Sequence, residues 1–350
     1  MIYIDKVAAW SWARVSHQVS SFLGGDGLAE VDDDGDGKGK DRGGSNAEYD
    51  LRFTESVIAA TGRDAHPRLR EIMPALIRHM HDFAREVDLT VAELMAGVAM
   101  INEAGRMSTD RRNETQLICD VLGLESLVDE ITSKKLSART ADSSNNINSN
   151  AATPSTVLGP FYRVDAPSLA NGSSMIAASM LGTPWYERAA PLLARISGQV
   201  RSAATREPIA GATVDVWLAG PDGTYEQQDP EQSDMNLRGR LRTDADGRYE
   251  TYALRPTAYP IPADGPAGRL LGLLDRSPWR PAHVHFLVAA EGYGALTTQV
   301  FDAEDPRARG EGGGDAVFAV KEELLVRFEE RRGDERARWE LRYDFVLREA

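Results

Sequence analysis

Hydrophobic positions along the chain change their period. Leu69, Ile72, Met73, Leu76, Ile77, Met80, Phe83 and Val87 recur every three or four residues, which lays one apolar face along a helix. Pro74 falls inside this run, where it either kinks the helix or starts its regular part. Thr90-Val91-Ala92-Glu93 has the form of a capping box, and Val91, Leu94, Met95, Val98 and Ile101 follow it at helical spacing. A third helix is expected around Leu117, Ile118, Val121 and Leu122, with Gly123 placed to end it. A fourth takes Leu127, Val128 and Ile131. From Ile196 onward the period is two. Ile196, Gly198 and Val200 begin a strand, and Val214, Val216 and Leu218 alternate with Thr213, Asp215 and Trp217 to give a two-faced one. Asp244-Ala245-Asp246-Gly247 reads as a hairpin turn. Glu291-Gly292 separates the strand around His283 and His285 from the next, Leu296–Phe301. Phe318, Val320, Leu324, Leu325 and Phe328 lead into closing strands. The predicted fold is mainly β, a β-sandwich domain preceded by an α-helical N-terminal part.

Stretches without such a pattern mark the boundaries. Residues 1–48 read as a flexible N-terminal extension with a short helix over Ala8–Phe22. Asp32, Asp34, Asp36 and Gly37 superficially resemble a calcium loop, but the twelfth position is Gly43, where a bidentate Glu is required. The helical domain is expected over 49–133, a low-complexity linker over 134–155 containing Ser143–Asn150, and the sandwich over 156–350. An insertion at about 168–192 carries Trp185 and Tyr186 and is expected to pack as a short helix. The Gly-, Asp- and Arg-rich loop 303–315 is expected at the surface.

At 350 residues the chain can bury two cores. A net charge of −14 and the lack of a Lys/Arg stripe argue against nucleic acid as a partner. The single cysteine, Cys119, excludes an intrachain disulfide and suits a reducing compartment. No stretch approaches the about 18 consecutive apolar residues of a membrane span, and Met1–Lys6 lacks the start of a secretion signal. The expectation is a cytoplasmic, soluble protein.

The candidate chemistry centres on Arg280-Pro281-Ala282-His283-Val284-His285-Phe286. In a strand, residues i and i+2 face the same way, so both imidazoles can reach one metal ion. The competing reading is a pair of exposed strand histidines. Tyr259 lies upstream in the Pro-rich stretch 255–262, and Tyr225 follows the turn signal Pro221-Asp222-Gly223. Two tyrosines and two histidines form a hard donor set, better suited to ferric iron than to zinc. A second His-x-His, His79-Met80-His81, falls on a helix, where the two rings point about 200° apart and cannot share an ion. These read as surface or packing residues. Tyr249 and Tyr252 read as packing residues, and Trp217 as core.

TVLGPFY (156–162), VDVWLAGPDGTY (214–225), SDMNLRGRLRTDADGRY (233–249), LRPTAYPIPADGPAG (254–268), RPAHVHF (280–286) and LTTQVF (296–301) occur in one order. In that order the chain resembles the intradiol ring-cleavage dioxygenases, the non-haem Fe(III) enzymes of the catechol and hydroxyquinol 1,2-dioxygenase group. Its helical part, about 51–132, matches as well. The resemblance implies one Fe(III) per chain, held by Tyr225, Tyr259, His283, His285 and a solvent hydroxide. It implies that the diol displaces Tyr259 and the hydroxide, which can then take the substrate protons. O2 is then inserted between the hydroxylated carbons to give a diacid. Arg280 matches the arginine that stabilises developing charge, and Gln299 a residue that stands behind the ligands. The substrate pocket maps to Leu117, Asp120, Val157, Gly159, Pro160, Phe161 and Arg280, where the helical part meets the sandwich. A core role for Leu117 stays open. Asp120 puts a carboxylate on an apolar helix face, where it needs a partner: a third substrate hydroxyl, or an N–H or arginine of the protein. The resemblance also implies a homodimer through the helical part, with an apolar channel able to hold lipid. YPIPADGP, TVLGPFY and DAVFAVKEELLV (315–326) are closer to the hydroxyquinol enzymes, so hydroxyquinol is the expected substrate, with maleylacetate as product tautomer. Catechol or a chlorocatechol is the alternative. A metal-free binding module on the same fold is a reading of a different class, which an iron assay separates.

Overall fold

A computed structural model of the chain describes residues 50–141 and 152–350. The expected N-terminal tail, its calcium-like loop and residues 142–151 of the low-complexity linker lie outside the described residues. The chain divides into two compact units, Met1–Asn102 and Glu103–Ala350.

In the first unit, α1 (Leu51–Ala59) precedes α2 (Pro67–Glu86). α2 starts with Pro67 at its first turn and runs through Pro74, so Pro74 neither begins nor ends it. His81 packs onto α1: its Nδ1 is 3.0 Å from Thr54 Oγ1, and its ring stacks on Phe53 at 5.6 Å. That is the packing role expected for this histidine. α3 (Val91–Met107) opens with the expected box, in which Thr90 N donates to Glu93 Oε2 at 2.8 Å and Glu93 N to Thr90 Oγ1 at 3.3 Å.

The second unit begins with α4 (Glu114–Val121) and α5 (Leu124–Ala141). α5 continues into the stretch expected as linker. Two sheets follow. One has the order β1 (Ser173–Ser174), β5 (Arg248–Leu254), β2 (Leu193–Ser202), β12 (Trp339–Arg342), β11 (Glu329–Glu330), with β13 (Phe345–Leu347) also paired to β2. The other has the order β10 (Leu325–Val326), β9 (Leu296–Asp302), β8 (His283–Ala289), β3 (Thr213–Trp217), β4 (Arg238–Arg242). Alternation decides what lies between them. Val214, Val216, Val284, Phe286, Val288 and Val300 from one sheet meet Ile196, Val200, Tyr249, Leu341 and Phe345 from the other, all buried in one core. This is the expected sandwich. The 168–192 insertion contributes to it: α6 (Pro184–Ala189), capped by Thr183, drives Trp185 into the same core.

The Asp244–Gly247 turn departs from expectation. β4 pairs with β3, and β5 with β2 and β1, so the turn carries the chain from one sheet to the other and closes no hairpin. A local turn signal gives the reversal and not the pairing partner. β6 (Tyr259–Pro260) and β7 (Trp279–Arg280) form a separate two-stranded ladder, with α7 (Pro266–Leu273) between them. Glu114, at the start of α4, is fully buried and accepts Ala267 N at 3.0 Å, so it caps α7 from another helix. Among the described residues no helix is long and apolar enough to cross a membrane.

Candidate metal centre

The two faces of β8 have different jobs. Val284, Phe286 and Val288 point into the core, so His283 and His285 point outward. Register sets His285 beside Trp217 of β3 and Gln299 of β9, and His283 beside Phe301. The Trp217 ring lies flat on the His285 imidazole, with centroids 4.7 Å apart and planes 12° from parallel. Trp217 is buried as expected, but in a small cluster with Phe161, Ala219, Tyr225 and Tyr259 on the outer face.

Tyr259 stands in β6 directly across from Arg280 in β7. Tyr225 follows the turn at Gly223, whose N–H donates to Gly220 O at 3.0 Å. Gly223 has φ +77, and a Cβ there would lie 2.5 Å from Tyr259 Cβ. Only glycine lets this turn aim Tyr225 while Tyr259 passes over it.

Four donor atoms converge. Tyr225 Oη is 3.2 Å from Tyr259 Oη, which is 3.2 Å from His283 Nε2, which is 3.1 Å from His285 Nε2. Ligands about 2.0–2.1 Å from a shared ion stand about 3.3 Å apart at tetrahedral angles, so these separations suit one ion. His283 Nδ1–H donates to Pro281 O at 2.6 Å, which leaves Nε2 with a bare lone pair. Burial holds both imidazoles well below their ordinary pKa, hence neutral. Burial also pushes both phenols up, with Arg280 pulling each the other way. A highly charged cation would reverse the phenol shift and use the neutral imidazoles as they stand. Two phenols and two imidazoles in a dry space fit Fe(III). Among the described residues no group of three or more His, Cys, Asp and Glu is placed to hold a metal; in this cluster tyrosine supplies the anionic half.

Arg280 closes one side. Its side chain is 3% exposed; Nη1 is 3.1 Å from His283 Nε2, Nη2 donates to Gln299 Oε1 at 2.8 Å, and Nε pairs with Asp315 at 3.0 Å. Gln299 in turn donates to Val157 O at 2.7 Å. This fixes the start of the 157–161 segment against the cluster. At Gly159, φ is +77 and a Cβ would lie 3.3 Å from His285 Cε1. Pro160 O accepts Asn113 N at 3.2 Å, and the Phe161 ring sits 4.9 Å from that of Tyr225.

Leu117 and Asp120 sit three residues apart on α4, each 1% exposed. Neither oxygen of Asp120 receives a hydrogen bond from the protein. Its partner is a second carboxyl. Burial first, then Glu125, pushes Asp120 up to about 9. Glu125 is held low despite its burial by Asp120, Gln116 and the Leu158 N–H, the last at 2.8 Å. Asp120 is therefore a neutral acid near neutral pH, its proton directed at Glu125. Of the partners expected for Asp120, neither an N–H nor an arginine of the protein donates to it; the third substrate hydroxyl is the alternative left beside this low-dielectric pair.

Sequence reasoning missed several residues here. Asp315 ends a loop expected at the surface, yet its side chain is 2% exposed. Glu226 and Arg238, both 1% exposed, pair at 2.7 Å, and Arg238 lies over the Tyr225 ring at 5.7 Å. The adjacency of Glu226 to Tyr225 was the only signal, and sequence spacing does not tell a buried ion pair from a surface one. A cleft of about 530 Å³ lies elsewhere, on the far sheet. It is lined by Arg195, Glu250 and Glu340, and the arginine pairs with both carboxylates.

The chain is similar to known proteins over most of its length. The family profile described as Dioxygenase matches residues 172–349, and that described as Catechol dioxygenase N terminus matches 66–140. The chain is 40% identical over 304 residues to an intradiol ring-cleavage dioxygenase of Aspergillus niger, covering 87% of this chain and 90% of that one. It is 41% identical over 280 residues to a catechol 1,2-dioxygenase of Candida albicans, covering 79% and 84%. The solved structure of a hydroxyquinol 1,2-dioxygenase from Pseudomonas putida superposes with a TM-score of 0.67 at 33% identity, over 85% of this chain and 98% of that one.

Proposed function

The chain belongs to the intradiol ring-cleavage dioxygenases, and on that premise we propose that it opens hydroxyquinol (1,2,4-trihydroxybenzene) between its adjacent hydroxylated carbons, using one Fe(III) held by Tyr225, Tyr259, His283 and His285. The convergence of four buried donor atoms at 3.1–3.2 Å steps carries this reading. Held by these four residues, Fe(III) would supply a Lewis acid and electron acceptor for an electron-rich diol.

The chain's own residues do the rest. As a phenolate, Tyr259 Oη is the group that accepts a substrate proton; it lies 3.2 Å from both Tyr225 Oη and His283 Nε2. Arg280 Nη1 aims a permanent positive charge at the place where negative charge develops on oxygen. Gln299 holds the guanidinium and the 157–161 segment together. Gly159 lets the segment approach His285 closely, while Val157, Pro160, Phe161 and Leu117 supply apolar walls that keep bulk water out. Asp120 favours the third hydroxyl. With its proton directed at Glu125, its other oxygen is free to accept, and a ring without that hydroxyl leaves the oxygen unpaired. The first unit supports the homodimer reading: Leu69, Leu76, Met80 and Phe83 of α2 expose an apolar stripe.

The experiment is a comparison of kcat/KM for hydroxyquinol and catechol on the iron-loaded chain. Hydroxyquinol should be preferred by about tenfold or more, the value of one buried polar contact. A clear preference for catechol would overturn the substrate and favour the reading supported by the Candida relative.

A further inference from the structure

Arg280 has five N–H donors on a planar head. Nε donates to Asp315 Oδ1 at 3.0 Å, and Nη2 is shared between Asp315 Oδ2 at 3.3 Å and Gln299 Oε1 at 2.8 Å. These donors are spent on Asp315 and Gln299. Nη1 is the remaining amino group, and it lies 3.1 Å from His283 Nε2. An imidazole nitrogen whose lone pair binds a metal accepts nothing further, so the Nη1 protons are then available to a substrate or oxygen atom.

Asp315 is itself pinned. Oδ1 accepts Val317 N at 3.2 Å and Oδ2 accepts Ala319 N at 3.1 Å. Ala316 N donates to Trp279 O at 3.0 Å, which laces the loop to the strand that carries Arg280. A carboxylate gripping Nε and Nη2 side-on sets the plane of the guanidinium as well as its position, which a single contact would not do. Removing that grip leaves Gln299 as one neutral acceptor on a charged group in a dry site.

We propose that Asp315 is a positioning residue for ring opening: it holds Nε and Nη2 of Arg280 so that Nη1 alone faces the metal donors. Asp315 touches none of the four donors and acts through Arg280. The inference rests on the iron dioxygenase reading above.

Asp315→Asn keeps the shape and removes the charge and one acceptor. The test is a double-mutant cycle on the full, iron-loaded chain: wild type, Asp315→Asn, Arg280→Gln and the double variant. It is read with whichever diol the wild type opens faster, using single-turnover rates at high enzyme concentration where steady-state rates are too slow. Asp315→Asn should keep its iron and visible absorption, keep KM within about threefold, and lose about tenfold or more in kcat. On the Arg280→Gln background the same change should alter the rate by less than about twofold, because the group it acts through is gone. An unchanged kcat in Asp315→Asn, or an equal loss on both backgrounds, would overturn the proposal. So would loss of iron or of folded protein in Asp315→Asn, which assigns the residue to holding its loop. A wild type that binds no iron or opens no diol removes the underlying reading, and this proposal with it.

Discussion

Tyr225 and Tyr259 carry the same phenol and are held differently. Tyr225 is packed by Phe161 with the Arg238 guanidinium over its ring, whereas Tyr259 meets its strand partner through a two-residue ladder. Replacing either by Phe removes only the donor oxygen. Tyr225→Phe should lose most of its iron on gel filtration. Tyr259→Phe should keep iron and lose about 10²-fold in kcat, the scale of a positioned base. Full activity in both variants would remove both tyrosines from the donor set. Asp120 makes a prediction about pH. Burial, then Glu125, raises its folded carboxyl from the ordinary 3.8 to about 9, so across that window the folded chain holds a proton that the unfolded chain has lost. The stability it contributes is fully present below the unfolded value and lost as pH rises through the window. Asp120→Asn should flatten that decline in denaturant titrations run at several pH values; an identical slope would show that Asp120 is not a buried neutral acid. None of this pairing was legible in the sequence. Glu125 lies in the first turn of a different helix, and its approach to Asp120 depends on how α4 and α5 are joined.

Elements built on one periodic signal were readable from sequence, and those defined by a pairing partner were not. The apolar repeat of α2, the capping box of α3 and the alternation in β3 each state their own structure. The turn at Asp244–Gly247 states a reversal, but nothing local says that the next strand joins the opposite sheet. Loop 303–315 looked like surface because of its composition, and its last residue is the buried partner of Arg280. The Gly223 turn is the element on which the site leans most. Gly223→Ala forces a side chain into a φ +77 position and against Tyr259 Cβ. It should cost about 1–3 kcal/mol of stability and loosen iron binding together, as read by thermal unfolding with and without iron. A variant with wild-type stability and iron content would show that the turn has room to spare.

At the scale of the whole molecule, the reaction was legible because six stretches stood in one order over residues 156–301, although no one of them is decisive. The substrate is a finer matter. Relatives named for catechol and for hydroxyquinol resemble the chain at 41% and 38% identity, so overall likeness does not choose between them and the choice falls to Asp120 and its neighbours. Everything proposed for those neighbours presupposes that Tyr225, Tyr259, His283 and His285 hold one ferric ion. The direct measurement is the metal content of the purified chain read together with its visible spectrum. About one iron per chain with red-brown phenolate-to-iron absorption, lost on removing the metal and restored by adding iron back, is the predicted result. A colourless, active protein with stoichiometric zinc would contradict it.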